Sequence, residues 1–332
     1  MTRILLGILL CLTSAATGSA QFLYFTDVFS PTFSDGSVQR IEIDGTGLLS
    51  LKETGRGARG IAVDEVDEGF FVTDIVSDEI LFGATSQGAL NVVVAGGLTF
   101  PIDLSIVQRR LVWLDQTQGQ IASSAMDGTD RQLLLSNVVG ASIAYDPVGE
   151  NIYFEERSGG QSVIRRMDPD ATNLETIISN VPYASAMGID SLNETIFWSS
   201  SSGLSNGNGG IYRVNFDGSG FDEIFLRGDN LDTGGLAVDE INGLVYFAQE
   251  IATNRDSIMR IELDGSNPTV IADGFGAIVK MDLSPIEIGV VVPEPSSLTL
   301  SFAGACLLGA FIRCTRALGC HRSPTNLHGS NS

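Results

Sequence analysis

The sequence predicts an all-β fold, a six-bladed β-propeller with four-stranded blades, and three observations carry that prediction. A tripartite pattern of short apolar stretches recurs six times between residues 22 and 285. Each unit of about 44 residues offers four short strands and no helical stretch, which are the period and strand count of a propeller blade. The repeat is also out of phase at its two ends, so six complete blades exist only if the last strand joins the first sheet.

The first part of the pattern is an apolar or aromatic stretch that ends in hydroxyl or acid. Its copies are Tyr24-Phe25-Thr26-Asp27, Phe71-Val72-Thr73-Asp74, Val112-Trp113-Leu114-Asp115, Tyr153-Phe154-Glu155-Glu156, Phe197-Trp198-Ser199-Ser200 and Tyr246-Phe247-Ala248-Gln249. The second part is an alternating strand that runs into a turn. Ile41-Glu42-Ile43-Asp44-Gly45, Val214-Asn215-Phe216-Asp217-Gly218 and Ile261-Glu262-Leu263-Asp264-Gly265 are clear copies, with weaker ones ending at Asp127-Gly128, at Asp168-Pro169 and, without the acid, at Gly88. Alternation marks a half-buried strand, and Asp-Gly supplies the positive φ of a tight hairpin.

The third part is apolar and rich in small residues, as suits a strand covered on both faces. Its copies are Gly60–Asp64, Ile102–Ser105, Ile143–Asp146, Gly188–Asp190, Gly235–Asp239 and Met281–Ser284. A further apolar stretch, such as Gln132–Leu135 or Thr176–Ile178, lies between the second and third parts and supplies the fourth strand. The chain opens on the first part at Tyr24 and closes on the third at Ser284. Closing the ring with the last strand removes the free edge on which sheets aggregate.

Composition limits the chemistry. The chain has 332 residues, 43% of them apolar, with 38 Gly and a formal charge of −21. So acidic a chain is repelled by phosphate backbones, which argues against nucleic acid as a partner. All four cysteines (Cys11, Cys306, Cys314, Cys320) and both histidines (His321, His328) lie near the ends. Residues 21–292 therefore hold no disulfide framework, no Cys/His zinc site and no Ser-His-Asp triad. Chemistry there must come from carboxylates, hydroxyls, Lys/Arg or a bound cation.

Both ends read as addresses. Arg3, the apolar run Ile4–Leu12 and small Gly18 and Ala20 before Gln21 form a secretory signal over residues 1–20, cleaved after Ala20. The propeller occupies 21–287. A Pro-Glu-Pro linker follows over 288–297, then an apolar helical segment over 298–312 and a basic cytoplasmic tail over 313–332. As a helix the apolar segment reaches roughly 22 Å, short of the ~30 Å hydrocarbon core. Pro293, Glu294 and Pro295, the apolar segment, and Arg313 and Arg316 stand in one order. That order resembles the PEP-CTERM sorting signal of exported bacterial proteins. The resemblance implies membrane contact through the segment before processing, an exosortase-type enzyme acting near Pro293–Pro295, and residence at the cell surface, outer membrane or extracellular matrix.

The repeat over residues 22–285 resembles the YWTD propeller, the class B repeat of the low-density-lipoprotein receptor family. Tyr24-Phe25-Thr26-Asp27 carries this most fully, supported by Ile258–Gly265 and Gly235–Asp239, while the fourth to sixth copies replace the Thr-Asp end.

The remaining motifs read as structure. Asp64-Glu65-Val66-Asp67-Glu68 offers oxygens that hard cations such as Ca²⁺ prefer, but it lacks a spaced Ca²⁺ loop and fits a solvated turn. Ser199–Gly210 and Phe29–Asp35 are low-complexity loops. Trp113 and Trp198 are expected between blades. Arg59, Arg109, Arg110, Arg165 and Arg166 are expected to pair with blade acids. The reading that follows is an exported, non-catalytic module binding an extracellular protein or polysaccharide, with no cofactor. The alternative is a Ca²⁺-dependent hydrolase of lactonase or phosphoesterase type. Its carboxylates would be Asp103, Asp190 and Asp282, acids within the inner strands, which otherwise meet backbone donors at the channel.

Overall fold

A computed structural model describes residues 21–284, apart from 29–35, 54–56, 87–88, 159–160, 202–208, 227–231 and 253–254. The signal segment, the Pro-Glu-Pro linker, the apolar segment, the basic tail, Phe29–Asp35 and most of the Ser199–Gly210 loop lie outside these residues.

Twenty-four strands, β1 to β24 in chain order, form six antiparallel four-stranded sheets. The innermost strands are β4 (Ala58–Asp64), β8 (Pro101–Val107), β12 (Ile143–Asp146), β16 (Ala186–Asp190), β20 (Thr233–Asp239) and β24 (Ala277–Leu283). These are the six copies of the third sequence part. Next outward come β1 (Phe22–Val28), β5 (Gly69–Asp74), β9 (Arg110–Asp115), β13 (Asn151–Ser158), β17 (Thr195–Ser200) and β21 (Leu244–Ala252). The third layer is β2 (Gly36–Glu42), β6 (Glu79–Ala84), β10 (Gln120–Ala125), β14 (Gln161–Met167), β18 (Gly210–Asn215) and β22 (Arg255–Glu262). The outer edges are β3 (Leu49–Glu53), β7 (Asn91–Ala95), β11 (Gln132–Ser136), β15 (Glu175–Val181), β19 (Asp222–Leu226) and β23 (Thr269–Phe275).

The first sheet has the order β24-β1-β2-β3, so the last strand closes the ring. Leu23 pairs with Leu283 and Phe25 with Met281. Phe22 and Ser284 add two bonds across the ends, Phe22 N–H to Ser284 Oγ and Ser284 N–H to the Phe22 carbonyl, each 2.8 Å. Six buried clusters fill the six interfaces between neighbouring blades. Trp113 packs between the second and third blades beside Phe71, and Trp198 between the fourth and fifth beside Tyr153. Among the described residues, 21–284 contain all six core clusters and both partners of the closing pair, as expected of a domain with its own core.

The repeated motif ends have two jobs. Thr26 Oγ1 donates to the Arg59 carbonyl at 2.8 Å, and Thr73 Oγ1 accepts from Gly60 N–H at 2.8 Å, so this hydroxyl fastens the second strand to an inner one. Asp74 and Asp115 accept turn amides from Val76, Ser77 and Gln118. In the fourth copy the Glu155 carboxylate replaces the hydroxyl and accepts Ala141 N–H at 2.6 Å.

The Asp-Gly turns also serve packing between blades. Gly45, Gly128, Gly218 and Gly265 have φ between 80° and 88°, and a Cβ on each would meet an outer-strand carbonyl of the preceding blade. At Gly265 that oxygen, from Ile224, would lie 2.0 Å away. Gly265→Ala combines a left-handed alanine with a clash against backbone, and we expect it to cost about 2 kcal/mol in a denaturant titration. The fourth turn corrects the sequence expectation. Its acid is Asp170 and not Asp168, because Asp170 Oδ1 accepts Thr172 N–H as Asp44 does from Thr46 N–H. Ala171, at φ 65°, stands where the other turns have Gly.

Candidate functional site: the central channel

The inner strands surround a channel that opens on two faces. On the face reached by the ends of these strands lies a cavity of about 390 Å³. Its wall includes Val63, Ile106, Tyr145, Ile189, Val238 and Leu283, one from each blade and all half-buried. They are equivalent in register, opposite Phe70, Leu111, Ile152, Ile196, Val245 and Leu23 of the next strands. The opposite face holds a cavity of about 320 Å³ whose wall includes Arg59, Arg157, Asp232, Glu250 and Asp256.

A buried ion pair separates the two. Three residues before the apolar ring, the six inner segments carry Gly60, Asp103, Ser142, Ala186, Gly235 and Lys280. The small members leave room for the large ones. A Cβ on Gly60 would meet the Asp103 backbone at 2.7 Å, and one on Gly235 the Lys280 backbone at 2.9 Å. Lys280 Nζ reaches from the first blade to Asp103 Oδ2 in the third at 2.6 Å, and donates to the Ala141 carbonyl at 2.9 Å and Ser142 Oγ at 3.3 Å. Asp103 also accepts Ser142 Oγ–H and the amides of Ile143 and Leu104. Both charges are almost fully buried. Burial pulls Lys280 down, and the Asp103 carboxylate opposes that pull.

Of the acids singled out in the sequence, Asp103 and Asp282 line the same cavity. Asp282 accepts Val63 N–H at 2.7 Å and Leu283 N–H at 2.9 Å, and burial pushes it up to about 7. Asp190 does not join them. It sits at the end of β16 and accepts the backbone and side-chain N–H groups of Asn193. Asp64, Asp146 and Asp239 cap their turns in the same way. Among the described residues no three His, Cys, Asp or Glu side chains form a group able to hold a metal. Lys280 already supplies the positive charge that faces Asp103.

The arginines divide. Arg109 bridges to Asp64 and Asp67 of the preceding blade, whereas Arg110, Arg165 and Arg166 pair within their own blades with Asp130, Glu156 and Glu175. Arg59 is drawn into the channel wall, where burial pulls its pKa down. Sequence reasoning missed Lys280, Glu155 and Asp256. For Lys280 a signal existed: the chain has only two lysines, Lys52 and Lys280, and one of them interrupts an inner-strand pattern.

No family model matches the chain. Among solved structures it is similar to a chain of a nidogen/laminin complex, with a TM-score of 0.67 and 16% identity over 80% of this chain and 99% of that one. It is similar to TolB from Acinetobacter baumannii, with a TM-score of 0.65 and 14% identity over 80% of this chain and 67% of that one. A putative TolB from Agrobacterium tumefaciens gives 0.59 and 14% over 78% and 91%. At these identities the likeness establishes the fold, a six-bladed β-propeller.

Proposed function

We propose that the chain is an exported propeller of the YWTD type that binds an extracellular protein or polysaccharide without catalysis, at the cell surface, outer membrane or extracellular matrix. The observation that carries this reading is the divided channel. Each face presents a cup of several hundred Å³ walled by several blades, a size suited to recognition. The oxygens of Asp103 and Asp282 are committed to backbone amides and to Lys280, which suits a scaffold better than a reacting centre. One structural neighbour was solved within a nidogen/laminin complex, which supports recognition of protein. Export and PEP-CTERM sorting rest on Arg3–Ala20 and on Pro293–Arg316, with an exosortase-type enzyme as the processing partner.

The test is a binding screen of residues 21–287 against defined extracellular proteins and polysaccharides, run beside lactone and phosphoester hydrolysis. Saturable binding of one class, indifferent to chelator and without turnover, is the expected result. Turnover abolished by EDTA and restored by Ca²⁺ would replace this reading with the hydrolase.

A further inference from the structure

The cavity at the ends of the inner strands opens on the face that also carries the turns leaving those strands. Four of the turns that leave the inner strands present an exposed aliphatic side chain: Val66, Val148, Leu192 and Ile241, between 59% and 74% exposed. They hold equivalent places, two residues after Asp64, Asp146, Asp190 and Asp239. Those acids accept amides of the turns, at Val66, Val148, Asn193 and Asn242. The turns are also linked across blades, by Arg109 to Asp64 and Asp67 and by Glu240 to the amides of Ser191 and Leu192. The aliphatic groups are therefore held outward on fixed backbone, and the ordering cost on binding is low.

Around them the same turns carry Glu65, Asp67, Glu68, Glu150, Glu194 and Glu240. We infer that this face, whose apolar ring and exposed turn aliphatics lie among acidic side chains, is a docking site for a polypeptide segment with apolar side chains flanked by Lys or Arg. The inference rests on the reading of the protein as a binding module and places the ligand on one of its two faces.

The wall chemistry selects the class of partner. Five of the six ring residues are aliphatic, and Tyr145 is the one aromatic among them. Sugar hydroxyls pressed against the five aliphatic members would lose water without gaining partners from them, at a cost of kcal/mol each. Outside the Lys280–Asp103 pair, only Ser105, Tyr145 and Asp282 among the described residues of the cavity wall offer polar side chains in compensation. Leucine or phenylalanine side chains lose nothing polar there and gain contact area. The turn acids then select for positive charge, through steering before contact and ion pairing beside the aliphatic side chains.

The test uses residues 21–287 and three synthetic peptides with the same leucine pair, flanked on each side by three lysines, three glutamates or three serines. Calorimetry should show the lysine-flanked peptide binding at least about tenfold tighter than the glutamate-flanked one, with the preference shrinking as salt rises. Replacing Val148, Leu192 and Ile241 together with serine leaves the charge intact and should weaken the lysine-flanked peptide about tenfold or more. Replacing Glu68, Glu150 and Glu194 together with lysine should reverse the peptide preference. These side chains are exposed, and circular dichroism and melting would verify the fold of both variants. Equal binding of lysine- and glutamate-flanked peptides, or unchanged affinity in the serine variant, overturns the inference. A ligand from the screen that is lost on Arg157→Glu and kept by the serine variant would place recognition at the other mouth, leaving the binding-module reading intact. Absence of saturable binding to any screened class or peptide would end both.

Discussion

Lys280→Met is expected to lower the unfolding free energy of the domain by about 3–5 kcal/mol, the range for removing one partner of a buried ion pair. Methionine keeps most of the stem volume, so the loss is electrostatic. The Asp103 carboxylate would remain buried without its cation, and the Ala141 carbonyl and Ser142 Oγ would lose a donor. The pair spans 177 residues of sequence and joins the closing strand to the third blade across the channel. The variant should therefore report on ring closure as well as on local burial. Adding Asp103→Asn removes the stranded charge and keeps one oxygen, enough for the amide of Ile143 or for that of Leu104 but not for both, since the two are held by different carboxylate oxygens. The double variant should recover part of the loss, because neutral replacements of a buried pair are often tolerated while one backbone amide is left without its acceptor. The measurement is the denaturant midpoint at unchanged slope. A single variant within about 1 kcal/mol of the parent, or a double variant as unstable as the single one, would show that the pair does not hold the ring.

The contrast between Asp103 and Asp190 shows what the sequence could reveal. All six inner strands were readable, because small residues and unbroken apolar character mark a strand covered on both faces. Closure was readable from phase alone: with the first part at Tyr24 and the third at Ser284, only one partner remains for β24. The role of an acid within such a strand was not readable, since it depends on register. Asp190 aligns with Asp64, Asp146 and Asp239 as the last residue of its strand, where carboxylates cap turns. Asp103 lies three residues before the ring residue of its strand, in the layer of Lys280 and Ser142. Adjacency in that layer joins blades one, three and four, which no local pattern contains. Asp168-Pro169 misled for a different reason. Pro and Asp both favour turns, yet the backbone places its positive φ at Ala171, a residue with no turn preference to announce it.

Raising the pH from 5 to 8 is expected to destabilise the domain, and Asp256→Asn should remove a measurable share of that loss. Asp256 is buried in β22 at the mouth opposite the apolar ring, where Oδ2 accepts Ile278 N–H at 2.7 Å. Burial pushes it up to about 7, and Glu250, Asp27 and Asp232 add negative charge in the same direction. The unfolded carboxyl titrates near 3.9. Between about pH 4 and 7 the folded state thus keeps a proton that the unfolded chain has released. Its contribution is complete below the unfolded value and disappears as pH rises through the folded one, for a difference of about 3–4 kcal/mol at most. Asp282, also pushed up to about 7, acts in the same sense. The exposed turn acids Asp44, Asp127, Asp170, Asp217 and Asp264 act in the opposite sense. Hydroxyls of Thr or Ser hold them below the ordinary value, so their contribution is lost only as pH falls through that lower range. Maximum stability is therefore expected near pH 4–5. The −21 formal charge also favours the acidic side, so the parent profile alone does not isolate Asp256. Asparagine does isolate it, because its oxygen can still accept from Ile278 while its amide faces the neighbouring carboxylates without ionising. The variant should match the parent below about pH 4, exceed it by about 1–2 kcal/mol at pH 5 and by about 3–4 kcal/mol at pH 8. Parallel pH profiles for the two proteins would mean that Asp256 ionises at an ordinary pH and that the neighbouring acids do not crowd it.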